Sequence, residues 1–450
     1  MNLVIVGAGN VGETLVENFI KENHDIVVVD VNPQRVSYVV DRYDVQGIVG
    51  GGVERSVLLD AGVEKADFVL ACTSRDEVNI LCSVLARKLG AKHTVARVRD
   101  PEYFKEMENM REEFGLDYFF NPERRAAIEI AQILKFPSAK NVESFAGGKA
   151  RMIEFDITDV NPVVGKSVMQ ISREYSTKIL FGMVQRGSDV IIPRGDFVLQ
   201  AGDSVHIIGS ESEIEKFTKQ LKIFKPKAKS VFIIGGGKIA YYLAKELMDS
   251  GVGVKIAEKD EDRATELSRD LPSATVLLLD ATEQEALDEE NLKGNDACVT
   301  LTGMDEENVI VSLYAKERGV GKVITKVERP SVQNMVKILG LDTIVSPRNA
   351  IANHIIRFVR AHKTETASGI NTLYKLNDKV EAIEFTVGDG FNRVDTPIKN
   401  LGIERGVLVG GIVRDKEFIL PSGDTELKKG DKVIVVTSVK NITELTQIIR

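Results

Sequence analysis

Cysteine is scarce in this chain of 450 residues: three stand at Cys72, Cys82 and Cys298, with no C-x-x-C spacing and no partnering histidine pattern. A zinc site and a disulfide framework are therefore not expected, and three unpaired thiols suit a reducing cytoplasm. Long apolar runs are missing too. None approaches the roughly 18 residues a membrane-spanning helix needs, and Met1-Asn2-Leu3 leads straight into a first strand, leaving no room for a leader. The protein is expected to be soluble, and to work at a membrane only through a protein partner. There is no basic surplus: the net charge is −8 and the pI near 5.5. That balance argues against nucleic acid and against docking on anionic lipid by bulk charge.

What is present is ample material for burial, with 43% hydrophobic and 28% charged residues, enough for roughly two to four domains. The stretch Leu3-Val4-Ile5-Val6-Gly7-Ala8-Gly9-Asn10-Val11-Gly12 is an apolar run ending in G-x-G-x-x-G. Such a run reads as a buried strand turning tightly into a helix, where glycines let the backbone approach a diphosphate and free N–H groups meet its charge. A second strand, Ile26-Val27-Val28-Val29-Asp30, ends in an acid 23 positions after Gly7. That is where a Rossmann fold keeps the carboxylate that grips a ribose.

The pattern occurs twice. Val231-Phe232-Ile233-Ile234-Gly235-Gly236-Gly237-Lys238-Ile239-Ala240 leads to Val254-Lys255-Ile256-Ala257-Glu258, and Gly7 to Gly235 and Asp30 to Glu258 are both steps of 228. Between the copies, periodicity predicts strands over 46–49, 67–71, 93–97 and 116–120, with helices from Pro33 and over 54–60, 76–89, 101–114 and 122–134. Short strands separated by Gly/Asp/Pro turns follow over 151–217, with one helix near 164–175. A basic linker around Pro226 opens the repeat. The expected fold is α/β: two Rossmann-like, doubly wound parallel sheets, each followed by a small α+β lobe in tandem. The boundaries expected are 1–137, 140–222, 229–362 and 368–450.

Asp30 and Glu258 are read as ribose ligands, and a short acid there favours NAD(H) or an adenosine nucleotide over a 2′-phosphate. Asp280, after the third strand of the second copy, either reaches an adenine amino group or caps the following helix; Gly51 stands at its place in the first copy. Thr73, Ser74 and Thr302 follow the fourth strands, where they meet a ligand, cap the next helix, or both. Arg97 ends the fifth strand as a charged fork for a diphosphate or as half of an ion pair, and Lys326 is its repeat partner. No catalytic residue is expected. The Y-x-x-x-K pair Tyr241/Lys245 lies in the helix straight after a glycine loop, the wrong place for a proton-transfer dyad. His24, His93, His206, His354 and His362 neither repeat between halves nor fall at a cofactor-side strand end. Phe104, Met107, Met110 and Phe114 form a stripe that either packs modules together or fills a core.

Together with the glycine loops and acids, the signature Ala66-Asp67-x-x-x-Ala71-x-Thr73-x-x-Asp76-Glu77-x-Asn79, echoed from Asp296 to Asn308, resembles the RCK (KTN) module that regulates K+ conductance. Two modules with their small lobes resemble the peripheral regulatory subunits of Trk-type K+ uptake systems over essentially the whole chain. The resemblance implies a cytoplasmic homotetrameric ring beneath a membrane K+ transporter, binding NAD(H) and ATP or ADP, with no direct membrane insertion and no metal. By that likeness Gly7, Ala8, Gly9, Asn10, Val11, Asp30, Thr73, Ser74 and Arg97 form a first site. Gly235, Gly236, Gly237, Lys238, Ile239, Glu258, Asp280 and Thr302 form a second. Gly51, Ala240 and Lys326 depart from the pattern. The alternatives are an NAD-dependent oxidoreductase and a stand-alone nucleotide sensor.

Overall fold

The computed structural model describes residues 1–341, 343–362, 369–377 and 379–450, without the side chain of Lys337; the boundary expected at 368 lies outside the described residues. The chain divides into two compact units: Met1–Ile128 with Gly237–Leu243 and Val345–Ile356, and Glu129–Gly236 with Ala244–Ile344 and Arg357–Arg450.

In the first unit the order is β1 (Asn2–Val6), α1 (Asn10–Ile20), β2 (Asp25–Asp30), α2 (Pro33–Tyr43), β3 (Gln46–Val49), α3 (Arg55–Asp60), β4 (Phe68–Ala71), α4 (Asp76–Leu89), β5 (His93–Arg97), α5 (Pro101–Met110), β6 (Tyr118–Phe120) and α6 (Pro122–Lys135), whose last residues enter the second unit. The strands lie in the order β3-β2-β1-β4-β5-β6, all parallel. Central β1 and β4 are continuous apolar runs because helices cover both faces, and Leu3, Ile5, Phe68 and Leu70 are fully buried. Proline at the first position and a capping acid or amide start three helices: the Asn32 side chain accepts from the Gln34 and Arg35 N–H groups at α2, Asp100 from Glu102 and Tyr103 at α5, and Asn121 from Arg124 at α6. The crevice where strand order reverses lies between β1 and β4, at their carboxyl ends.

Three of the four residues of the stripe, Phe104, Met107 and Phe114, join a core; Met110 is half-buried outside that cluster. Met107 is buried with Ala96, Val98 and Leu116, and Phe104 and Phe114 pack against that cluster. The helix ends at Met110, short of the expected 114.

The second unit begins with a small lobe: β7 (Asn141–Phe145), β8 (Ala150–Asp156), α7 (Val168–Tyr175), β9 (Ile179–Arg186), β10 (Asp189–Ile191), β11 (Ser204–Gly209) and α8 (Glu211–Gln220). Two of these, β7 and α8, escape the sequence reading, and α7 starts four residues later than expected, at a Ser167/Gln170 capping box. The second Rossmann sheet follows with β12 (Ser230–Ile234), α9 (Lys238–Asp249), β13 (Gly253–Glu258), α10 (Glu261–Asp270), β14 (Thr275–Leu278), α11 (Gln284–Glu289), β15 (Ala297–Thr300), α12 (Asp305–Glu317), β16 (Lys322–Lys326), α13 (Pro330–Ile338), β17 (Ile344–Val345) and α14 (Pro347–Ala361), of which Gly237–Leu243 and Val345–Ile356 are counted with the first unit. The chain closes with β18 (Ile370–Lys375), β19 (Glu381–Thr386), β20 (Val407–Arg414), β21 (Glu417–Ile419) and β22 (Lys432–Thr437).

Both copies keep one topology. The second parallel sheet runs β14-β13-β12-β15-β16-β17, and the two antiparallel sheets run β10-β9-β11-β8-β7 and β21-β20-β22-β19-β18. Each lobe is pinned by the same pair, a buried aspartate held by a half-exposed arginine. Arg186 reaches Asp203 through two bonds of 2.7 and 2.8 Å, and Arg414 reaches Asp431 through two of 2.8 and 2.7 Å. The lobes share a core: Phe145, Met152, Met183 and Ile208 of the first cluster with Tyr374, Val413, Ile434 and Val436 of the second. The Tyr374 hydroxyl donates to the Ser144 carbonyl at 3.1 Å, and the Ala146 N–H to Glu384 at 2.6 Å.

Candidate functional site

In the first copy the crevice is built on two glycines that no other residue could replace cheaply. Gly7 has φ +110°, and a methyl group on it would meet the Cys72 and Thr73 backbone at 2.9 Å. On Gly12 it would lie 1.8 Å from the Gly7 carbonyl oxygen, so loop and helix can touch only because the side chain is absent. Ala240 is the corresponding residue of the second copy, and it is fully buried. Cys72 lies beneath the loop; its Sγ is 3.5 Å from the Gly7 oxygen, and burial pushes the thiol up to about 12, so it stays protonated.

The acids at the ends of β2 and β13 turn onto these loops. Asp30 accepts the Ala8 N–H at 2.7 Å and the Asn32 N–H at 2.8 Å; Glu258 accepts the Gly236 N–H at 2.6 Å and the Asp260 N–H at 2.9 Å. Each carboxylate thus sits between its loop and the start of the next helix, half-buried, with each oxygen accepting one backbone N–H. An ionised carboxylate accepts hydrogen bonds only, which suits it to the hydroxyls of a ribose diol.

Thr73 and Thr302 are fixed by one device used twice. The fully buried Asn79 accepts the Thr73 N–H at 2.8 Å and donates to the Thr73 and Arg97 carbonyls; Asn308 does the same for Thr302 and Lys326. Asp76 accepts the Arg99 and Asp100 N–H groups at 2.8 Å, and Asp305 those of Glu328 and Arg329 at 2.9 Å. The D-x-x-N spacing therefore braces the ends of the fourth and fifth strands against each other. Ser74 stands at the rim of an open cavity of about 420 Å3 whose lining includes Arg75, Arg99, Asp100, Tyr103 and Lys238.

Other expected ligands are engaged within the protein. Arg97 lies 3.2 Å from Glu123, which Arg99 also holds at 2.8 Å. Lys326 donates to the Thr302 carbonyl at 3.1 Å. Asp280 accepts both the N–H and the hydroxyl of Thr282, at 2.9 and 2.7 Å, which holds its carboxyl below the usual range; these bonds close a local turn before α11 and do not cap that helix, contrary to one of the two expectations. Where the first copy has Gly51, the Glu54 carboxylate folds over and accepts the Gly51 N–H at 3.2 Å. Beside Asp280 a cavity of about 320 Å3 opens, lined by Lys259, Ala281, Leu287, Met304, Ile310 and Tyr314 among others. Tyr241 lies on α9 against the ring of Tyr242, edge to face at 5.5 Å. None of the five histidines lies at a carboxyl strand end of either parallel sheet.

Sequence reasoning missed Arg35 and Arg263. Each is the third residue of the helix after the ribose-type acid, and the two are 228 positions apart. Arg263 Nε donates to the Gly236 carbonyl at 2.7 Å, while Arg35 Nη1 lies 3.1 Å from where a Cβ on Gly9 would be. The repeat offset alone would have marked them.

Comparison with known proteins bears on all of this. The TrkA-N domain family matches residues 3–122 and 231–347, and the TrkA-C domain family matches 152–222 and 382–450. The chain is 32% identical over 451 residues to the Trk system potassium uptake protein TrkA homolog of Archaeoglobus fulgidus, covering 100% of each chain. It is 30% identical over 443 residues to the Trk system potassium uptake protein TrkA of Vibrio alginolyticus, covering 97% of this chain and 95% of that one. Among solved structures, the GsuK channel bound to NAD superposes with a TM-score of 0.63 at 17% identity, over 98% of this chain and 77% of that chain; this is a likeness of fold. With two TrkA-N and two TrkA-C domains in tandem and relatives matching end to end, the chain belongs to the TrkA family of paired RCK modules.

Proposed function

We propose that this chain is the nucleotide-binding regulatory subunit of a membrane K+ uptake transporter, and that NAD(H) and ATP or ADP occupy its two Rossmann crevices. The observation that carries the reading is the duplicated pair of acid and loop: Asp30 on Ala8 N–H and Glu258 on Gly236 N–H, each at the mouth of a glycine turn. Gly7, Ala8, Gly9, Asn10 and Val11 would receive the diphosphate, and Thr73 and Ser74 the far ribose or phosphate. In the second copy Gly235 to Ile239 and Thr302 take these parts, with the adenine beside Asp280. On this reading, in keeping with the absence of a proton-transfer pair at either crevice among the described residues, occupancy is read as shape rather than converted into product. A nucleotide shifts a ring between shapes only by as much as it prefers one of them. A homotetrameric ring at the cytoplasmic face, held there by the transporter, would pass that preference on as gating.

Mass spectrometry of nucleotide co-purified with the protein, counted per chain, is expected to find an adenine nucleotide. Calorimetry with NAD+, NADH, ATP and ADP should give binding at two sites, and light scattering a tetramer. Deleting the gene should abolish K+ uptake, and restoring it should return nucleotide-dependent uptake. Steady turnover of NADH with a carbonyl substrate would overturn the reading in favour of an oxidoreductase.

A further inference from the structure

We infer that Arg35 is a specificity-determining residue that contacts the phosphates of the nucleotide at the first site and selects diphosphate-bearing nucleotides over monophosphates. The inference rests on the nucleotide-binding reading above and assigns a residue that reading does not use. Three observations converge on it.

First, the guanidinium lies over the glycine loop, with Nη1 3.1 Å from the place a Cβ on Gly9 would take. Arg263 also reaches its loop, but at the residue before, through a bond to the Gly236 carbonyl at 2.7 Å. Second, the position is costly for the helix. Arg35 and Arg263 fall in the first turns of α2 and α10, where the backbone dipole disfavours a cation. Both copies nevertheless place an arginine there, so something other than helix stability calls for it. Third, the loop needs positive charge. Asp30 brings a carboxylate against the Ala8 N–H, so a diphosphate entering the loop meets an anion at its edge. A planar guanidinium beside the loop offsets that repulsion and offers a fork matched to phosphate oxygens.

The copies differ in readiness. Arg263 is held by the Gly236 carbonyl and by Glu266 at 2.5 Å. Arg35 is exposed and has no ion-pair partner among the described residues. The first site is therefore the one whose arginine is open to a ligand.

The test is calorimetry with AMP and ADP on full-length protein carrying Glu258→Ala to weaken the second site, with and without Arg35→Gln, and with Arg35→Lys as the conservative variant. The expected result is a loss of about tenfold or more in ADP affinity on Arg35→Gln, with AMP changed less than about threefold. Lysine should recover part of the ADP affinity as a point charge. Thermal unfolding should not fall on Arg35→Gln, since the side chain is exposed and a cation leaves the first turn of α2. Equal losses for AMP and ADP, or no loss, would overturn the assignment while leaving nucleotide binding intact. Absence of any nucleotide binding by the unmutated chain would overturn the assignment together with the functional reading beneath it.

Discussion

At the scale of single residues, the carboxylates of Asp30 and Glu258 do two things. Each ties its glycine loop to the start of the following helix, and in the proposed function each would also accept the hydroxyls of a ribose. Asp30→Ala fills no core and empties none, so the fold should persist. Dinucleotide affinity at the first site should fall about tenfold or more, the worth of a charge-assisted hydrogen bond. Calorimetry with the second site blocked measures it, and unchanged affinity would remove Asp30 from the site. Another residue-scale consequence lies in the first lobe. His206 is buried on β11 with Glu154 3.6 Å away, and burial holds its imidazole below the ordinary value near 6.5 despite the acid. Below that pH the unfolded chain takes up a proton that the folded one refuses. Stability should therefore decline as the pH drops from about 6.5 towards the depressed folded value, and then level. Comparing thermal unfolding of the unmutated chain and His206→Gln across pH 7 to 4 isolates this term (roughly the range over which a buried imidazole titrates); the variant's profile should be flatter.

Among the elements, the junction of the fourth and fifth strands decides the shape of each crevice. Asn79 spends its carbonyl on the Thr73 N–H and its amide on the Thr73 and Arg97 carbonyls. Asn79→Ala strands these groups in a place without solvent and should cost about 2 kcal/mol. Urea unfolding gives that loss, and nucleotide affinity should drop with it, because Thr73 and the end of β5 lose their register. Much of this junction could be foreseen: the D-x-x-N spacing recurs at an offset of 229, and its recurrence marks it as integral to the repeat. Its role could not, since a buried asparagine and a ligand-facing one look alike in a string of letters. The stripe on α5 shows the same limit. Apolar residues at helical spacing say that one face is buried, and only the position of β5 and β6 says by what.

For the molecule as a whole, the repeat is near-perfect in topology and uneven in detail. Arg360 on α14 and Glu381 on β19 form an ion pair with both side chains almost wholly buried, joined by bonds of 2.8 and 3.0 Å. Arg360→Met leaves the Glu381 charge buried alone and should cost about 3–5 kcal/mol. Replacing both by apolar residues of similar volume should restore most of that loss. Denaturant titration of the single and double variants decides it, and a single variant as stable as the unmutated chain would show the pair to be idle. The compact units also cut across the repeat. The segment Gly237–Leu243, from the second copy, belongs with the first Rossmann sheet, where the Asn121 amide donates to the Tyr242 hydroxyl and that hydroxyl to the Arg99 carbonyl.

By itself the sequence determined the number and order of the parts: two glycine loops, two acids at fixed distance, alternating strands and helices, then hairpins, all copied at a nearly constant offset. These are local facts, set by backbone sterics at glycine and by the period of apolar residues, and they survive any arrangement of the whole. Tertiary structure decided which polar groups are spent inside the protein and which are left for a ligand. Arg97 and Lys326 are paired with neighbours brought close by folding, Glu123 and the Thr302 carbonyl, whereas Arg35, which only the repeat offset marks, is left open over the loop. A side chain's availability depends on what folding sets beside it, and that is a property of contacts between residues far apart in the chain.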